Sequence, residues 1–250
     1  MATRAEDRAN DTSMVCTAVR TATPACFARS LRVPAAQCGM PVEPRLDDAT
    51  AQALADVLPL LGCAEEAATL AFGRLANGAP RDPGRGALDV EASALHAIEA
   101  EERVHDELLR SLGAALPVSP GGAALRASAR RFHLQLATRE RTTHLARIAA
   151  VDAAVCTILS RLMSPHAALA QDPELVRLFE RIRRDEARHV AVTRNLVTAH
   201  GGADLGRRHG ATARNALARL LRMSAAAFER LRIDPDALLR DVARLPRGLF

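Results

Sequence analysis

The sequence has no lysine, no tyrosine and no tryptophan, and six phenylalanines are its only aromatic side chains of that class. Without Tyr or Trp, the protein can form no tyrosyl radical and no aromatic relay for electrons. With aromatics at 2%, little stacking surface is left for single-stranded nucleic acid. All 34 basic residues are arginine, and the net charge is only +5. With alanine also abundant, GC-rich coding is a simpler cause of this bias than selection for guanidinium chemistry. The arginines are spread along the chain, many beside Asp or Glu. Arg126, Arg130, Arg131, Arg139 and Arg141 could form a patch, but they read as a solvated helix face rather than a nucleic-acid footprint.

Cysteine is sparse as well. Cys16, Cys26, Cys38, Cys63 and Cys156 include no Cys-x-x-Cys pair, which argues against a built-in zinc ribbon or rubredoxin-like module. No apolar run approaches the ~20 residues of a membrane span. The first residues lack the roughly 7–15-residue apolar core of a secretory signal. The expectation is a cytoplasmic protein with reduced thiols and no membrane partner. At 48% hydrophobic and 25% charged over 250 residues, the chain has the composition of a globular domain with extensions.

Residues 1–45 show no sustained periodicity and hold Pro24, Pro34, Pro41 and Pro44; they read as a flexible N-terminal tail. From Leu46 the pattern turns helical. Helix one carries Leu54, Leu58, Leu61, Ala68, Phe72 and Leu75 on one stripe and ends at Asn77-Gly78. Helix two runs from about Ala87 to Leu112, with Leu88, Leu95, Ile98 and Leu109 on its stripe. The window from Ala123 to Ser164 contains no Gly or Pro. That is long for one helix, so its first turns can belong to a connection. Its stripe is Leu145, Ile148, Val155, Leu159 and Leu162. Asp172-Pro173 is an N-cap followed by Pro at the first helical position, and helix four continues to Gly201. A fifth amphipathic helix is expected after Gly210, carrying Leu217, Leu220, Leu221, Phe228 and Leu231, and Asp234-Pro235 opens a last one. No strand pattern is present. The fold class is all-α: a four-helix bundle over residues 46–200, with C-terminal helices over 201–250 packed on it.

Helix two contains Glu102-x-x-His105 and helix four contains Glu186-x-x-His189. Side chains three residues apart share a helix face, and both pairs lie on the apolar stripe. Charged groups facing a core are costly unless paired or bound to metal. Helix one adds Glu65 on its stripe, between Leu61, Ala68 and Phe72; helix three adds Asp152, inside Ile148-Ala-Ala-Val-Asp-Ala-Ala-Val155. Alone, Asp152 reads as a hydrogen-bonded core Asp. The spacing joins the four signals. Glu65 and Glu102 are 37 residues apart, and Asp152 and Glu186 are 34 apart. Counting helical residues down and up each hairpin brings carboxylate and Glu-x-x-His to the same height, at about 1.5 Å per residue. Two such hairpins, packed about a pseudo-two-fold axis, would converge four carboxylates and two imidazoles.

That ligand set resembles the di-iron carboxylate bundles, in which two helices each give one carboxylate and two each give Glu-x-x-His. Leu60-Leu-Gly-Cys-Ala-Glu65-Glu-Ala-Ala68-Thr-Leu-Ala-Phe72 is similar to the first metal helix of rubrerythrins, and that alignment selects Glu65 over Glu66. Ala100-Glu-Glu102-Arg-Val-His105 and Asp185-Glu186-Ala-Arg-His189 resemble the metal helices of acyl-carrier desaturases and related non-haem di-iron oxygenases. The likeness to the ferritin-like superfamily covers about residues 50–200 and is motif-deep. It implies metal ligands Glu65, Glu102, His105, Asp152, Glu186 and His189, with two Fe ions (Mn as the other candidate) and no organic cofactor. It departs from the usual pattern at Asp152, where Glu is usual. By the same resemblance Asp185 would orient His105, and Glu101 would serve His189. Cys156, one turn after Asp152, can line the cavity or be a small core residue. His96, His133, His144, His166, His200 and His209 match no motif and read as surface or capping residues. The implied activity is a di-iron oxidase or oxygenase that activates O₂ on a small organic molecule, with electrons from a separate reductase. Iron oxidation or peroxide removal in the ferritin or rubrerythrin manner is the second reading, and a helical partner-binding module without catalysis the third. A homodimer is compatible with these readings; a closed multi-subunit cage is not expected.

Overall fold

A computed structural model describes residues 43–78 and 88–244. The expectation of a flexible tail falls almost wholly on residues 1–42, outside the described residues, as do Cys16, Cys26 and Cys38. The described residues are helical, with no strand among them. The helices are α1 (Asp48–Asn77), α2 (Leu88–Ala114), α3 (Gly122–Leu136), α4 (Arg141–Leu162), α5 (Pro173–Ala199), α6 (Ala203–Leu221), α7 (Ala225–Arg230) and α8 (Pro235–Ala243). No helix among them is long and apolar enough to cross a membrane.

Local chemistry sets most of the boundaries. Asp47 caps α1 by accepting from the Thr50 amide at 2.8 Å. Asp172 caps α5 by accepting from the amides of Glu174 and Leu175, with Pro173 in the first turn, the arrangement that leaves orphan donors satisfied. At the far end of α5 the chain reverses through Gly201 (φ 69°). A Cβ on the next residue, Gly202, would lie 2.3 Å from Thr142 Cγ2, so glycine lets this turn press on the start of α4.

The Ala123–Ser164 window is two helices, not one. Ala137 turns extended (φ −63°, ψ 138°), and Glu140 caps α4 by accepting from the amides of Thr142 and Thr143. A side-chain cap makes this break, and no Gly or Pro marks it. The fifth helix likewise differs from expectation. It begins at Ala203, ahead of Gly206 and Gly210, and a 3₁₀ turn at Arg222–Ser224 separates it from Phe228 and Leu231. Gly206, Gly210, Ala213 and Leu217 form its buried stripe. Small residues there let α6 lie against the alanine-rich α4.

Helices α1 and α2 pack along one another, as do α4 and α5; α3 lies on α1, and α6 lies on α4. Two apolar clusters result. The larger joins Leu61, Leu109, Val155 and Ile182 to α3 and to the C-terminal helices through Phe132, Leu217 and Phe228. The smaller gathers Phe72, Leu95, Ile98, Leu145, Ile148 and Val197. On each of α1, α2, α4 and α5 the chain passes from one cluster to the other across one short stretch. That stretch holds Glu65, then Glu102 and His105, then Asp152, then Glu186 and His189. A polar belt therefore lies between two dry layers, where unpaired charge is costly. Arg141, expected on a solvated face, instead pairs with Glu91 on α2 and donates to the Leu75 carbonyl at the end of α1, tying three helices together.

Candidate metal centre

All six belt residues are buried: Glu65 is 2% exposed, Glu102 1%, His105 1%, Asp152 5%, Glu186 3% and His189 0%. Helix register explains the selection. Glu65 turns inward on the stripe of Leu61 and Phe72, whereas neighbouring Glu66 faces outward to Arg130 on α3. Glu65, Glu102, His105 and Glu186 bring one ligand atom each to within 4.8 Å of one another. Ligand atoms around a first-row ion, at about 2.0–2.2 Å each, lie up to roughly 4.4 Å apart. This buried group can hold a metal ion.

The histidines have a shared orientation. His105 Nδ1 lies 3.4 Å from Glu65 Oε2, 3.5 Å from Glu186 Oε1 and 3.8 Å from Glu102 Oε2. His189 Nδ1 lies 2.8 Å from Glu102 Oε1 and 3.8 Å from Glu186 Oε1. Each ring turns Nε2 away from the centre. His105 Nε2 meets Asp185 at 3.1 Å, and His189 Nε2 meets Glu101 at 2.8 Å. Since a carboxylate only accepts, both Nε2 atoms are assigned the proton, which leaves Nδ1 of the neutral ring with its lone pair aimed inward. The outer partner of each histidine comes from the opposite helix, so the two motifs brace each other.

Arg188 had no motif to mark it. Its guanidinium sits 2.8 Å from both Glu101 Oε2 and Asp185 Oδ1, joining the two outer carboxylates. Burial alone would raise Glu101 and Asp185; the histidine hydrogen bonds and Arg188 outweigh it and hold both below the usual carboxylate range. The clue lay in the sequence: Arg188 is three residues after Asp185, on its face.

Inside the belt the groups are out of balance. Glu65 is held well above the ordinary carboxylate range by burial and by Glu102, and Asp152 by burial, Glu186 and Glu102. Burial pushes Glu102 the same way, but the charge of His189 and the close approach of His105 and Glu65 hold it far below that range. Burial would depress both histidines; the surrounding carboxylates instead hold them well above the usual imidazole value. Both Glu102 oxygens, Asp152 Oδ2 and the Nδ1 atoms of His105 and His189 are buried without a hydrogen-bond partner. Buried polar atoms are rarely left so.

Asp152 stands apart from the compact group of four, beside a cavity of about 40 Å³ that Glu65, Glu102 and Glu186 also line. Cys156 does not line it. Its thiol lies 3.7 Å from the Arg183 carbonyl, and burial with Glu186 and Asp152 pushes it up to about 12. His133 and His144, expected at the surface, do line the cavity. His144 shares its stripe with Ile148 and Asp152 at intervals of four, a signal the sequence carried. His133 has no such marker, because α3 lies beyond the motif-bearing helices.

No protein-family model, no curated protein and no solved structure matches this chain. What the centre does has to be argued from its own geometry.

Proposed function

We propose that the protein is a ferritin-like four-helix bundle holding a two-metal centre, most favourably di-iron, that oxidises a small organic molecule with O₂. The observation that carries this reading is the set of five buried ligand-type atoms on one belt that make no hydrogen bond, held against one another only by ion-pair contacts such as His189 Nδ1 to Glu102 Oε1 at 2.8 Å. A metal would resolve each of them at once. In this arrangement Glu65 and His105 would hold one ion, Asp152 and His189 the other, and Glu102 and Glu186, which approach both rings, would lie between. Four carboxylates offset the charge of two divalent cations. Mixed imidazole and carboxylate ligands suit Fe or Mn, and six are too many for one tetrahedral Zn.

When bound in the reduced form, two irons supply the electrons that activate O₂. The rest is the protein's own work. Asp185 and Glu101 fix the tautomer of the histidines, and Arg188 fixes Asp185 and Glu101; such outer bonds set ligand position and basicity. Alanines 64, 67, 68 and 71 leave a small apolar space beside the carboxylates, with room for about three waters or a comparably small group. That space favours an organic substrate over iron storage.

The test is anaerobic Fe(II) titration of the full chain, followed by O₂. About two irons per chain and an optical change on O₂ addition are expected. No bound metal in a protein that stays helical overturns the reading. The sign of the pH response is fixed. Glu65, Asp152, His105 and His189 hold protons more tightly when folded without metal, so metal must displace them and affinity rises with pH. For the same reason these four groups stabilise the metal-free fold at low pH. Their contribution fades as pH rises, from about 4 for the carboxyls and about 6.5 for the imidazoles, through their raised folded values. Glu102 acts oppositely, contributing above about 4. Melting of metal-free protein should therefore drop from pH 6 to pH 8 by more than that of loaded protein.

A further inference from the structure

A second cavity of about 240 Å³ opens from the surface between α1 and α3. It shares Ala67, Ala71, His133 and His144 with the small cavity at the carboxylate belt, so the two adjoin across one wall and, taken together, trace a path from the surface toward the belt. The walls are mostly apolar. Leu70 is 66% exposed and Leu134 75%, and both line the outer chamber. Large apolar side chains left in water and gathered around one opening mark a binding mouth more often than chance surface.

The charges of the outer chamber are uneven. Arg130 is neutralised by Glu66, both of its contacts to that carboxylate being 3.1–3.2 Å. Arg74 lines the same chamber and has no ion pair among the described residues. Its charge reaches inward: burial, followed by Arg74, Arg147 and Arg141, holds His144 below the usual imidazole range. Burial likewise holds His133 at about 4. At neutral pH both rings are thus uncharged, and neither makes a hydrogen bond among the described residues. The path runs from a guanidinium with no ion pair among the described residues, past two neutral imidazoles, to an alanine-lined pocket at the carboxylates.

We infer that this passage binds a small amphiphilic carboxylate, with its anionic end at Arg74 and its apolar end directed through the His133–His144 constriction toward the Glu/His centre. Arg74 supplies the charge partner that a carboxylate favours. The inner chamber, walled by Ala64, Ala68, Ile148 and Val155 and by the acidic side chains of Glu65, Glu102, Asp152 and Glu186, disfavours an anionic end. The inference rests on the proposed two-metal reading for what happens at the inner end, but the binding step needs no metal.

The test uses calorimetry on the full chain, chelator-treated and iron-loaded, with octanoate, 1-octanol and octylamine as probes. Octanoate should bind at least tenfold more tightly than the alcohol or the amine in both forms. Arg74→Gln should bring octanoate down to the level of octanol. Ala71→Phe, which fills the shared wall, should weaken octanoate at least tenfold while circular dichroism stays unchanged; Ala67→Leu serves if Ala71→Phe does not fold. No octanoate binding, equal binding of octanol or octylamine, or unchanged binding when the wall is filled would each overturn the inference. Octanoate bound normally by a protein that takes up no iron would sink the two-metal reading and leave the passage standing.

Discussion

The two halves of the centre are built alike and end differently. In the α1–α2 half, Glu65 reaches to 3.4 Å from His105 Nδ1. In the α4–α5 half, Asp152 is one methylene shorter and forms no ion pair with His189 among the described residues. Glu65 belongs to the compact group of four ligand-type residues; Asp152 and His189 lie outside it, and Asp152 has one oxygen without a hydrogen bond and the cavity next to it. The shorter arm ends beside the small cavity, which Glu65, Glu102 and Glu186 line as well.

The largest break in this comparison is expected at Glu102, which serves both halves. Its oxygens lie 2.8 Å from His189 Nδ1 and 3.8 Å from His105 Nδ1. Under the proposed two-metal reading, Glu102→Ala removes a charge and a ligand common to both ions, so metal content should fall from about two per chain to none. Elemental analysis after anaerobic loading reads this. Two irons retained would show that the halves bind independently.

The next effect tests the asymmetry itself. Asp152→Asn is nearly isosteric but loses the negative charge that offsets the second cation, so one ion should be lost or weakened while the first stays. The variant should fold, because burial already favours the neutral form of Asp152 in the metal-free protein, and Asn is neutral. Asp152→Glu restores the length of Glu65, and should keep two irons while shrinking the cavity and altering the O₂ reaction. Two tightly held irons and an unchanged O₂ reaction in Asp152→Asn would remove Asp152 from the centre.

These halves were readable in the sequence because each helix confined a charged residue to an apolar stripe, and because 37 and 34 residues bring each hairpin back to one height. The caps at Asp172 and Asp234 were readable for a local reason: their oxygens bond amides two and three residues away. Features made by distant chain segments were not. The α3–α4 break was hidden for a local reason instead: its cap is Glu140, accepting from the Thr142 and Thr143 amides, and a Glu there looks like ordinary helix sequence. His133 gains its setting only when α3 folds over α1. The fifth helix was expected only after Gly210, yet α6 begins at Ala203 and buries Gly206 and Gly210 where it packs on α4.

The smallest effect compares the outer carboxylates. Losing a bond behind a metal-bound histidine typically costs roughly 10- to 100-fold in metal affinity. Glu101 is 5% exposed and meets its histidine at 2.8 Å; the Asp185 side chain is 20% exposed and meets its own at 3.1 Å. Water can replace part of what Asp185 does, but has little access to Glu101. Glu101→Gln should therefore weaken iron binding near the upper end of that range, and Asp185→Asn near the lower. Both substitutions keep an oxygen able to accept from Nε2 and remove only charge, so the fold should be intact in each. Arg188 loses one neighbouring charge either way; in Glu101→Gln it keeps the oxygen it shares with His189, whereas in Asp185→Asn the oxygen it uses is not the one His105 uses. Competition titration against a chelator of known affinity measures both. If Asp185→Asn proves the more damaging, exposure is not what sets the difference, and the geometry of the His105 half, with its fuller set of carboxylates, becomes the controlling term.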